Sequence, residues 1–205
     1  MVEATDFLFG VGRSFFTLFI IMSPFIGLPV FLKIVDSFDE RRRKRAATRA
    51  IFFSAGLLLF FILFGMALLN LFGVSFEGFK IAGGIVLLIL GITYMFNISL
   101  SEKKSVHYAT DILVPFTMPL IIGPGTITAT ILLTNTYGIF IVAAGGILAL
   151  GVYWLFLHHS SRVVRTLGHQ GIEVVARFMG LILMAIAVDM MRSGVSGFIK
   201  VGFGG

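Results

Sequence analysis

Cysteine is absent from this 205-residue chain, so disulfides, thiolate nucleophiles and cysteine-ligated metals are excluded. Charge is scarce as well, at 13% of residues, with ten acids against sixteen Lys and Arg. Paired carboxylates or an acid–base constellation are therefore hard to assemble, and no catalytic residue is expected. Proline occurs only at positions 24, 29, 115, 119 and 124, all inside apolar stretches. What the chain has instead is 58% hydrophobic residues and a mean hydropathy of +1.03, well outside the soluble range.

Six apolar segments are long enough to cross a hydrocarbon core of ~30 Å, which takes roughly 20 helical residues. They lie near residues 14–35, 50–72, 79–96, 114–134, 139–157 and 178–199. The separators are short, so residues 1–205 read as one all-α integral membrane domain. The opening MVEATD has two acids and no base, which predicts a mature start rather than a cleavable signal.

The bases are unevenly spread. Lys33 to Arg49, the Lys103–Lys104 pair and the group Arg162, Arg165 and Arg177 together hold twelve of the sixteen Lys and Arg. They fall in alternate connections, which is the positive-inside pattern and predicts both termini outside the cytoplasmic membrane. RRRKR at 41–45 is thus an orientation signal that also suits anionic lipid, and a nucleic-acid partner is not expected.

With that orientation, segments one to three run opposite to segments four to six. Pro24 and Pro29 repeat as Pro119 and Pro124 at an offset of 95, each pair enclosing a glycine, Gly27 or Gly123. Lys80-Ile-Ala-Gly83 and Arg177-Phe-Met-Gly180 match at an offset of 97. The expectation is six transmembrane helices as two inverted three-helix repeats, about 7–97 and 112–200.

Proline at bilayer depth has a chemical consequence. Pro29 has no N–H for the carbonyl of Phe25, and Pro124 none for Leu120. Lipid cannot satisfy such carbonyls, so they must face protein or a wet cavity. Gly27, Gly123 and Gly125 let the backbone leave helical geometry. The first and fourth helices are therefore expected to be discontinuous, with Pro124 opening a half-helix whose free N–H groups at Gly125, Thr126 and Ile127 attract an anionic group. Carbonyls near Ser23 and Ile122 would take an ammonium group or a cation, and the hydroxyls of Ser23, Thr126 and Thr128 complete a site for a small zwitterion.

Other polar groups have quieter explanations. Asp189 sits within the sixth segment, where it would relay a proton or hold a coupling cation, H+ or Na+, or else simply pair with Arg192. Arg13 and Lys80 are expected to reach the interface, and Tyr153 and Trp154 to lie in an interfacial aromatic belt. His107, His158, His159 and His169 fall in expected loops with no metal-ligand spacing. Gly56, Gly91, Gly83-Gly84 and Gly145-Gly146 are expected to permit close helix packing.

These motifs carry a resemblance to the MarC family over nearly the whole length. VPFTMPLIIGPGTIT (114–128) resembles that family's fourth segment, FFTLFIIMSPFIGLPVFL (15–32) its first, FKIAGGIVLL (79–88) its third and RFMGLILMAIAVDMM (177–191) its sixth. The resemblance implies transport of small neutral amino acids such as glycine and alanine. In the first motif the family commonly has Asp-Pro-x-Gly-Asn-x-Pro, whereas here Ser23, Ile26 and Gly27 replace the acid, glycine and asparagine. The substrate-binding set is then Ser23, Pro24, Gly27, Pro29, Ile122, Gly123, Pro124, Gly125, Thr126 and Thr128, with no cofactor and no metal. Expected partners are the substrate, membrane lipid and further copies of the chain. The rival classes are a non-transporting membrane scaffold or regulatory protein, and an exporter of other small solutes.

Overall fold

The computed structural model describes residues 4–35, 38–96 and 121–203. All regular structure among these residues is helical, as an apolar chain in lipid requires, because each backbone N–H and C=O must find its partner within the chain. The elements are α1 (Ala4–Met22), α2 (Pro24–Ile34), α3 (Glu40–Leu71), α4 (Phe76–Met95), α5 (Pro124–Tyr137), α6 (Ile139–His158) and α7 (Ser160–Phe203).

Local chemistry fixes several ends. Asp39 caps α3 by accepting from the Arg42 N–H at 3.0 Å, and Ser75 caps α4 by accepting from Gly78 at 3.2 Å. Gly168, with φ 67°, kinks α7 at a conformation that a side chain would oppose. A short arm thus precedes the apolar stretch Gln170–Ile199.

Five stretches among the described residues are long and apolar enough to cross a membrane: Thr5–Leu28, Glu40–Leu71, Phe76–Met95, Ile139–His158 and Gln170–Ile199. The sixth expected span, 114–134, begins outside the described residues with Pro115 and Pro119, and only its second part appears, as the 14-residue α5. The first span begins some ten residues earlier than expected, because Asp6 sits comfortably in the first turn of α1 and does not delay the helix. Arg13 is consequently an exposed residue within α1 and not its outer end.

The basic run RRRKR is not a loop but the opening of α3, where Lys44 pairs with Glu40 at 2.7 Å one turn away. His158 likewise closes α6 and His159 caps it, while His107, with Lys103 and Lys104, lies outside the described residues. Arg162, Arg165 and Arg177 all belong to α7.

Glycines set the tightest helix contacts. Along α4 and α7, which run antiparallel, Gly84 abuts Ala187 and Met191, Gly91 abuts Gly180 and Met184, and Gly194 abuts Glu77 and Ile81. Small residues seven apart let the backbones approach along one seam, which is how helices associate where no hydrophobic drive separates protein from lipid. On α6, Gly145 receives Ser14 and Phe15 of α1, and Gly146 receives Leu58 of α3. Gly56 is different: it faces open space, so it plays no part in packing. The outward faces carry Phe52, Phe60, Phe64, Phe140 and Phe178, the apolar coat expected against acyl chains.

Candidate functional site at two helix interruptions

The apolar stretch Thr5–Leu28 runs through a backbone interruption. Between α1 and α2, Ser23 adopts φ 43°, ψ 74°, a left-handed conformation that costs a non-glycine residue about 1–2 kcal/mol. Pro24 follows as the first residue of α2, buried, and offers no N–H to the carbonyl of Ile20. The carbonyl of Ser23 itself is taken, accepting from Ile26 at 3.0 Å and Gly27 at 3.1 Å. Gly27 and Pro29 remain helical, so the interruption falls at Ser23 and not at Gly27 as expected. Proline at a first helical position removes no hydrogen bond that the new helix would have made, which is why the chain restarts at Pro24.

The second proline-led start is that of α5. Ile121 and Ile122 are buried, Gly123 is extended at φ −83°, ψ 178°, and Pro124 again opens the helix, this time exposed. Pro24 and Pro124 are thus each first in a helix, with Pro29 one and a half turns beyond Pro24. Of the N–H groups expected to be free, that of Ile127 donates to Gly123 at 3.0 Å. Those of Gly125 and Thr126 lie in the first turn, where a helix provides no acceptor. Thr126 donates its hydroxyl to the Ile121 carbonyl at 2.9 Å and Thr128 donates to Pro124 at 2.9 Å. Both hydroxyls are thus spent on their own backbone, leaving lone pairs to accept.

These two places adjoin. Gly125 is buried with Leu87 directly over it, and a methyl group there would lie 3.6 Å from Ile21 Cγ2. Leu87 is the twelfth of the 20 residues of α4, so the start of α5 lies roughly 17 Å along a helix of about 30 Å. Both starts sit at the mid-depth of the bundle.

One residue escaped the sequence reading. Tyr153, expected in an interfacial belt, is fully buried and its hydroxyl has no partner among the described residues. Helix α6 runs parallel to α1 and α2, with Ser14 of α1 against Gly145 and Phe25 of α2 against Phe156, and that register sets Tyr153 level with Met22 and Ser23. Two turns before it on the same face, Gly146 admits Leu18 and Leu58, so Tyr153 points inward between α1 and α3. Ser23 Oγ is also buried and unpartnered. Two orphaned hydroxyls at the level of an interrupted helix are uncommon, because buried phenols normally find an acceptor. The signal was available in the spacing Gly145, Ala149, Tyr153, which puts the phenol on the buried stripe. Its neighbour Trp154 donates to Thr48 Oγ1 at 3.1 Å, tying α6 to α3.

Asp189 does not join the group. It is exposed and held by Arg192 through bonds of 2.8 and 3.2 Å. The α4–α7 register places it between the levels of Gly84 and Glu77, within about two turns of the start of α4. Lys80 at that end lies 4.5 Å from the centre of the Phe76 ring.

Several apolar spans packed by glycine seams, with hydroxyls and helix ends turned inward, define a multi-pass α-helical membrane protein. Residues 9–199 match the MarC family integral membrane proteins, and the chain belongs to that family. It is 34% identical to UPF0056 membrane protein MJ1677 of Methanocaldococcus jannaschii over 194 residues, 90% of this chain and 95% of that one. It is 32% identical to UPF0056 membrane protein YvbG of Bacillus subtilis over 207 residues, covering 93% and 96%. Membrane protein PYRAB13050 of Pyrococcus abyssi is 33% identical over 185 residues, covering 88% and 91%. No solved structure matches the chain.

Proposed function

We propose that this protein is a secondary transporter that moves small neutral amino acids of the glycine and alanine type across the cytoplasmic membrane by alternating access. The observation that carries this reading is the pair of proline-led helix starts, Pro24 and Pro124, adjoining through Ile21 and Gly125 at mid-depth. Interrupted helices at the midplane are the usual way for such carriers to present bare peptide groups to a solute. The first-turn N–H groups of Gly125 and Thr126 would receive the carboxylate. Carbonyls near Met22, with the hydroxyls of Ser23 and Tyr153, would receive the ammonium. Close packing around Gly125, with Leu87 over it, leaves little room for a large side chain and favours a small substrate.

In this reading six spans form two inverted repeats, both termini outside. Packing of α2 on α6 is echoed by α5 on α3, and α4 on α5 by α7 on α2, as an internal two-fold axis would demand. The α4–α7 seam is reciprocal too, each glycine of Gly91 and Gly180 resting on the backbone of the other. A coupling H+ or Na+ would meet the open carbonyls at the first interruption. Asp189, exposed and paired, takes the structural role of its two alternatives.

Uptake of labelled amino acids into proteoliposomes under imposed proton or sodium gradients tests the proposal. Accumulation of glycine or alanine supports it. Absence of uptake across a full panel, with no thermal stabilisation by any of its members, assigns the protein to the scaffold class instead.

A further inference from the structure

At the end of the bundle where α3 begins and α6 gives way to α7, a cavity of about 140 Å³ opens between the two basic segments. Liquid water occupies ~30 Å³ per molecule, so the space takes a group several times larger. Its only acid is Glu40, which is committed to Lys44 at 2.7 Å. Arg43 and Arg162 line the same cavity; among the described residues neither makes an ion-pair contact, and the Glu40 carboxyl, bonded first to Lys44, is their nearest acid. Arg43 holds the Phe38 carbonyl only at 3.5 Å, and its Nε is buried with no partner. His158 Nδ1 is likewise buried and unpartnered. Ser160 and Ser161 line the wall at the start of α7, where first-turn N–H groups lack intrahelical acceptors. The buried Arg43 Nε costs free energy unless an acceptor completes it, and the exposed Arg162 guanidinium beside it is free to grip the same group.

We propose that this cavity is a binding site for a phosphate-bearing group, gripped by Arg43 and Arg162. The planar guanidinium fork matches two phosphate oxygens at once, a fit that a basic pocket with a single carboxylate, already paired with a lysine, can use. The depth is that of lipid headgroups, since α3 turns apolar within three turns of Arg43 and α6 ends at His158. An anionic phospholipid or free phosphate would each supply the chemistry. The site is independent of what crosses the membrane.

Native mass spectrometry of the delipidated full-length protein tests this with short-chain phosphatidylglycerol, short-chain phosphatidylcholine and inorganic phosphate. The expected result is a saturable phosphatidylglycerol adduct at least tenfold tighter than phosphatidylcholine. Displacement by inorganic phosphate assigns the site to any phosphate, and resistance to it assigns the site to the lipid headgroup. Arg162→Gln should weaken the adduct about tenfold, the value of one charge-assisted hydrogen-bond set. Ser161→Asp should weaken it as much by repulsion. Both residues are exposed, so the fold tolerates these changes. Arg41→Gln with Arg45→Gln removes more charge from the same helix without touching the cavity and should change little. Equal binding of both lipids, wild-type binding by both cavity variants, or an equal loss in the Arg41/Arg45 variant overturns the proposal.

Discussion

Leu87 of α4 stands over Gly125, the second residue of α5, and its side chain fills the place that any side chain at 125 would need. The contact joins the start of a helix at mid-depth to the most tightly packed pair of the bundle.

Gly125→Leu therefore acts twice, by blocking the interruption and by overpacking against Leu87 and Ile21. Overpacking of this kind costs about 1–3 kcal/mol. Uptake should vanish and the melting temperature should fall. Adding Leu87→Ala should restore most of the stability and none of the uptake, as thermal melts and transport assays on the three variants would report. Full recovery of uptake in the double variant would mean that Gly125 serves packing alone.

The hydroxyls of Tyr153 and Ser23 should separate stability from function. A buried polar group without a partner costs about 1–3 kcal/mol, so Tyr153→Phe is expected to raise the melting temperature while weakening stabilisation by glycine or alanine. Ser23→Gly removes a hydroxyl and a left-handed penalty of about 1–2 kcal/mol together, and should behave alike. A drop in melting temperature for Tyr153→Phe without ligand would show that the phenol already has a partner.

Glycine substitutions should divide by what each faces. Gly91→Leu or Gly180→Leu forces the backbones of α4 and α7 apart and should abolish monodisperse expression in size-exclusion runs. Gly56→Leu, facing open space, should express normally and gain up to about 1 kcal/mol of helix propensity.

Asp189→Asn should leave uptake and its proton dependence unchanged. Exposed pairs such as Asp189–Arg192 contribute about 0–1 kcal/mol. A shifted pH profile of uptake in this variant would return Asp189 to the coupling role.

How much of this was legible in the residues follows from the kind of signal each gives. Pro24 and Pro124 announce their effect chemically, since a missing N–H is a property of the residue itself, and so the starts of α2 and α5 could be read directly. The choice between Pro24 and Pro29 as the point of restart could not, because a proline six residues into a helix is tolerated when a neighbouring wall absorbs the loss. Apolar runs located α4, α6 and the end of α3 to within a turn, yet α3 begins ten residues before its apolar run because Glu40 and Asp39 stabilise a first turn that carries RRRKR. Asp189 looked deep because α7 extends well beyond its partner α4, and only the register of Gly84 on Ala187 reveals its depth. Tyr153 was misplaced for a related reason: proximity to a segment end says nothing about which face a residue occupies.

The absence of cysteine allows the central claim to be tested without background labelling. Ser23→Cys and Thr126→Cys, placed one at a time in membrane-embedded protein, should react with a membrane-impermeant maleimide, and added alanine should slow both reactions. Reaction at neither position, or reaction at both that alanine leaves untouched, would contradict a solute site formed where α2 and α5 begin.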